Sequence, residues 1–142
     1  MKYIYKLFFV TVCLTFIAGI SNAQSRAGKK NTAPEIKSLL LDGKAEGSRI
    51  RLNPQEKYMI KVLATDPDAD LLTMRWELFA EDQSETGDEK PNPIADSVSP
   101  ISKSSAMLHV PVAEGLYKLW LHVDDGKGHA TKSSITFTVL PN

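Results

Sequence analysis

Lys61-Val62-Leu63-Ala64-Thr65-Asp66-Pro67-Asp68-Ala69-Asp70-Leu71-Leu72-Thr73-Met74-Arg75-Trp76-Glu77-Leu78 is the stretch that decides the fold. It reads as an apolar strand, a tight acidic turn and a second strand with a tryptophan in mid-run. Before the turn, Tyr58, Ile60, Val62 and Ala64 recur at alternate positions with Lys61 and Thr65 opposite, the period of a half-buried strand. After it, Leu72, Met74, Trp76 and Leu78 share the inward face, leaving Thr73, Arg75, Glu77 and Phe79 to point out. Aspartate is at home in the turn because its carboxylate bonds its own backbone two residues on.

The same alternation extends outward along the chain. Pro34 opens Glu35 to Leu41, closed by Asp42-Gly43, and Ser48 to Leu52 reads as a short edge strand with Ile50 and Leu52 on one side. Downstream, Glu81 to Pro100 carries acids and prolines without a period, the composition of a mobile loop. Ala106 to Val110 is the next strand. Gly115 to Val123 then gives the cleanest pattern, with Tyr117, Leu119, Leu121 and Val123 inward and Lys118, Trp120 and His122 outward. Asp124-Asp125-Gly126-Lys127-Gly128 turns the chain, and Ser134 to Leu140 closes it with Ile135, Phe137 and Val139 inward. No segment has a 3.6-residue period. About seven short strands predict an all-β fold, a single antiparallel β-sandwich of the immunoglobulin-like kind over residues 34–142.

The N-terminus lies outside that fold. Residues 1–23 have a basic start at Lys2 and Lys6, an apolar run from Leu7 to Ile20 and small residues before Gln24, the layout of a secretory signal peptide. The apolar run is shorter than the roughly 20 residues of a membrane span. Residues 24–33 read as a flexible polar leader. The expectation is an exported protein, in the periplasm, at the cell surface or outside the cell, with no membrane span after cleavage. The single cysteine, Cys13, sits in the apolar run, so the mature chain has neither a disulfide nor a thiolate metal site. With Lys2 and Lys6 removed, 15 basic side chains face 17 acidic ones, a net charge of −2, which offers nucleic acid no basic platform.

Asn31-Thr-Ala-Pro34, Ala64-Thr-Asp-Pro-Asp-Ala-Asp70, Leu72-Thr-Met-Arg-Trp-Glu77 and Gly115-Leu-Tyr-Lys-Leu-Trp-Leu-His-Val-Asp-Asp-Gly126 resemble bacterial immunoglobulin-like modules of the PKD and cadherin-like type. The resemblance runs from about Asn31 to Leu140. In detail it is similar to accessory modules of secreted glycoside hydrolases. It implies a core tryptophan at Trp76 and a tyrosine corner at Tyr117, while the enzyme activity of those proteins belongs to a neighbouring domain and does not carry over. One departure is Ala69, where such turns carry glycine.

Two candidate sites follow. The topology expected for the sandwich brings Asp66, Asp68 and Asp70 near Asp124 and Asp125 at one pole, with Asn31 close by. Calcium takes six to eight oxygen ligands, and cadherin-like modules hold calcium at such a pole. Simple turn chemistry is the competing reading. The second site is an outer face carrying Trp120, His122, Lys118, Arg75, Glu77 and Phe79, the residue types of a sugar-stacking surface. A protein contact or a tryptophan covered by the acidic loop are the competing readings. His109, His122 and His129 lie on separate segments without ligand spacing, and no G-x-S-x-G elbow or phosphate-cradling glycine loop is present. The expectation is a non-catalytic binding module, contacting polysaccharide, a secreted partner enzyme or a surface protein. The alternative is a calcium-stabilised adhesion or structural module of the cell envelope.

Overall fold

The computed structural model describes residues 30–81 and 92–142. The expected signal peptide, the leader up to residue 29 and loop residues 82–91 lie outside the described part. The described chain is all-β, with nine strands: β1 Glu35–Leu41, β2 Lys44–Ala45, β3 Arg51–Leu52, β4 Lys57–Thr65, β5 Thr73–Ala80, β6 Val98–Ser102, β7 Ser105–His109, β8 Gly115–Asp124 and β9 Ala130–Val139. They form two sheets, ordered β2-β1-β4-β7-β6 and β3-β9-β8-β5, whose inner faces enclose the core.

Alternation built these strands. In β8 the buried positions are Tyr117, Leu119, Leu121 and Val123, and in β4 they are Ile60 and Val62, flanked by half-buried Tyr58 and Ala64. The Tyr117 ring stacks on Phe137 at 5.7 Å, and its hydroxyl donates to the Ala113 carbonyl at 2.9 Å, the tyrosine-corner bond.

Four details differ from the expectation. The sandwich has nine strands rather than about seven, because β2 and β6 are added. β6 falls partly inside the expected loop, Glu81 to Pro100, since an edge strand in which only Val98 is half-buried offers no alternation to read. The sheets are not wholly antiparallel, as β3 pairs in parallel with β9 (Arg51 with Thr138, Leu52 with Val139). β9 starts at Ala130, so Lys132 is a strand residue. Finally, Trp76 is only partly buried, packing against the core from its margin, because β5 is the edge of its sheet.

Candidate functional site

The acidic pole is built from two turns of the same design. In the β4–β5 turn, Asp66 Oδ1 accepts the backbone N–H groups of Asp68 (2.7 Å) and Asp70 (3.1 Å). In the β8–β9 turn, Asp125 Oδ1 accepts those of Lys127 (2.7 Å) and His129 (3.0 Å). Each turn thus spends one carboxylate oxygen on its own backbone at i+2 and i+4, and the second oxygen is left for the pole. Asp66, Asp70 and Asp125 each present an oxygen there, all within 4.8 Å of one another. Asp66 Oδ2 is shielded from solvent and has no hydrogen-bond partner among the described residues. Asp125 is 2% exposed.

The N-terminal approach closes over this pole. Asn31 Nδ2 donates to Asp125 Oδ2 at 2.7 Å and lies 3.1 Å from His129 Nδ1, and the Thr32 N–H donates to Asp68 Oδ2 at 2.7 Å. The last residues of the expected leader are therefore bonded to the sandwich. Burial pushes the Asp125 carboxyl up, but the Lys127 and His129 N–H groups, the Asn31 amide and the neighbouring His129 outweigh it. The net effect holds Asp125 below the ordinary aspartate value. A cavity of about 340 Å³ opens beside the cluster, lined by Asn31, Asp68, Asp70 and Lys127.

Of the five aspartates singled out in sequence, the structure gathers Asp66, Asp70 and Asp125. Asp68 flanks them through Thr32. Asp124 is exposed and accepts the Gly126 N–H at 2.7 Å, a turn bond, and does not join the cluster. His129 was missed, because nothing in Gly128-His129-Ala130 marks it as part of the pole. Only the return of its backbone N–H to Asp125 brings it there.

The second site is the outer face of the β3-β9-β8-β5 sheet. Register sets Glu77 opposite Trp120, Arg75 opposite His122 and Phe79 opposite Lys118. On the other side Ser134 faces Trp120 and Lys132 faces His122. All six expected residues therefore share one surface. Trp120 is half-buried, with the Lys118 and Lys132 ammonium groups 5.3 and 5.1 Å from its ring centroid. Glu77 pairs with Arg75, and its other oxygen lies 2.8 Å from His122 Nε2 without the alignment of a hydrogen bond. Lys118 also meets Glu81 at 3.6 Å. Two ammonium groups thus lie within cation–π reach of the indole. Lys132 escaped the sequence reading because it precedes the expected start of its strand.

No protein-family model matches this chain, and no curated protein matches it in sequence. Among solved structures, it is similar to PcoC, a methionine-rich copper resistance protein from Escherichia coli. The identity is 20% over 77% of this chain and 100% of that one, with a TM-score of 0.47. It is also similar to a nucleoside hydrolase-related hypothetical protein from Saccharophagus degradans associated with carbohydrate metabolism, at 15% identity and a TM-score of 0.42. That match covers 78% of this chain but 26% of the other. The ZirS C-terminal domain matches at 12% identity over 96% of this chain and 86% of its own, with a TM-score of 0.40. These likenesses assign no activity.

Proposed function

We propose that this chain is an exported, non-catalytic β-sandwich module whose acidic pole is closed by a divalent cation, and that the cation is calcium. The observation that carries this reading is the convergence of Asp66, Asp70 and Asp125 oxygens from two turns within 4.8 Å. Like charges so close repel, and while backbone N–H groups and the Asn31 amide relieve part of that charge, Asp66 Oδ2 has no partner among the described residues and is left for a cation. The donors are all oxygen, the preference of a hard cation, and Asp68, the Asn31 amide oxygen after a flip, and water bring the set towards six to eight. Bound there, the ion would join both turns and the N-terminal approach, stiffening the end of the module that a neighbouring domain or surface would meet. Export is supported by the signal-like N-terminus, and among the described residues no helix is long and apolar enough to cross a membrane.

Thermal melting with and without calcium tests the proposal. Extracellular calcium modules bind with Kd of about 10⁻⁴–10⁻³ M. At about 10 mM calcium, ten to a hundred times Kd, linkage gives roughly 1.4–2.7 kcal/mol, several degrees in Tm for a domain of this size. Asp66→Asn should abolish the shift. An unchanged Tm in the wild-type protein at that concentration sinks the calcium site.

A second reading rests on the Trp120 face, whose aromatic, cationic and hydroxyl groups fit contact with a glycan or a secreted partner enzyme. Retention on immobilised polysaccharide by wild type but not by Trp120→Ala would favour it.

A further inference from the structure

The opposite sheet carries a different donor set on its outer face. Met59 of β4 stands directly opposite Met107 of β7, and the next pair on that face sets Lys57 opposite His109. Inward neighbours Ile60, Ala106 and Leu108 are buried, so Met59, Met107 and His109 all project away from the core. Met59 is 39% exposed. The chain has four methionines, Met1, Met59, Met74 and Met107, so two of the three internal ones are a cross-strand pair. An apolar surface patch would be met as well by valine or isoleucine, which suit strands better.

Directly opposed residues hold their Cβ atoms about 4.5–5.5 Å apart and diagonal ones about 7–8 Å. A methionine has three free torsions beyond that point. Two thioether sulfurs and the imidazole of His109 can therefore meet over the Met59–Met107 pair. On the far side of β7, Ser99 faces Met107, and its hydroxyl lies 3.2 Å from His109 Nε2. With Ser99 accepting from Nε2–H, Nδ1 carries the lone pair, the arrangement by which an outer hydrogen bond sets a metal-ligating histidine.

We propose that Met59, Met107 and His109 form a binding site for a soft monovalent cation, Cu(I), with Ser99 as a positioning residue. Neutral thioether and imidazole donors select Cu(I) over hard oxygen-seeking ions. The ammonium groups of Lys57 and Lys61, on the same face of β4, repel a dication more strongly than a monocation. This site is independent of the acidic pole: its donors, its sheet and its ion all differ.

The test is anaerobic Cu(I) competition against a chromophoric Cu(I) chelator. It uses the full chain carrying Cys13→Ser, so that no thiol competes. The wild-type site should hold copper against the chelator. Met59→Leu, Met107→Leu and His109→Gln should each weaken it by at least the roughly tenfold to hundredfold that loss of even an outer partner costs, with Ser99→Ala within that range. Met74→Leu should leave affinity unchanged. Complete loss of copper from the wild-type protein overturns the proposal, as does equal retention by a folded Met59→Leu/Met107→Leu double variant. X-ray absorption on the wild-type complex tests it without a variant. Sulfur scattering at copper supports the site, and a purely nitrogen and oxygen shell overturns it.

Discussion

Glu56, Asn53 and Tyr58 close the turn that leads from β3 into β4. The Tyr58 hydroxyl donates to Glu56 Oε2 at 2.6 Å, the Asn53 amide donates to the same oxygen at 3.1 Å, and the Asn53 N–H donates to the tyrosine oxygen at 3.1 Å. The hydroxyl–carboxylate bond is short because its acceptor is charged. The Tyr58 bond, and then that of Asn53, hold the Glu56 carboxyl below the ordinary glutamate value, while the same carboxylate pushes the Tyr58 hydroxyl above the ordinary tyrosine value. The two shifts give opposite limbs. A lowered acid contributes stability above its unfolded pKa and loses it as pH falls through the folded one. A raised phenol contributes below its unfolded pKa and loses it as pH rises through the folded one. The contact therefore acts between the acidic and the strongly alkaline range, and both groups are too solvated for it to dominate stability. Side-chain carboxyl NMR of Tyr58→Phe should show the Glu56 midpoint moving up towards that of an ordinary glutamate. An unmoved midpoint would show that the tyrosine is not the cause.

At the level of the element, the β4–β5 turn is the instructive case. Its place, its flanking strands and their inward residues were legible because the apolar period of two stops at Asp66 and resumes at Leu72. The departure at Ala69, where such turns carry glycine, has a structural answer: Ala69 takes φ 61°, the left-handed region, and its N–H still reaches the Asp66 carbonyl at 3.2 Å. The Asp66 side chain, bonded to two backbone N–H groups, imposes the tight turn on a residue that does not favour it. An L-residue in that region costs roughly 1–2 kcal/mol, whereas glycine there loses about 0.4–1 kcal/mol more chain entropy on folding. Ala69→Gly should accordingly raise stability by about 0.5–1 kcal/mol in urea unfolding at constant m-value. A loss of stability would mean the alanine methyl contributes packing that outweighs its strain. Other elements could not be read from sequence. β6 half-buries Val98 alone and is otherwise exposed, and the parallel pairing of β3 with β9 rests on two residues whose order carries no direction. The Met59–Met107 pair was invisible for a related reason: which residue faces which depends on strand register, and register is a property of the pair.

For the whole molecule, the decisive fact is that no disulfide ties the two sheets together, the single cysteine being Cys13. Leu41, Leu52, Ile60, Leu78, Leu119 and Phe137 are each no more than 1% exposed and come from both sheets, so the sandwich is held by packing. The core was legible almost residue by residue, since one buried face per strand fixes the alternation. The pole was legible in outline only, because the sequence names its aspartates but cannot say that Asp66, Asp70 and Asp125 meet while Asp124 turns away. Phe137, 1% exposed and stacked on Tyr117, is the side chain whose loss tests the packing argument. Phe137→Ala should cost about 3–5 kcal/mol, a large share of the roughly 5–15 kcal/mol typical of a domain, and denaturant midpoints will measure it. Phe137 faces Tyr117, seven residues along β8 from Asp124, or about 20 Å from the pole at strand rise. Sites that far apart act additively. Calcium should therefore raise the midpoint of Phe137→Ala by the same free energy as it raises the wild type. A variant that keeps its fold but loses the calcium increment would show that the pole is assembled only when the distant end of the core is intact.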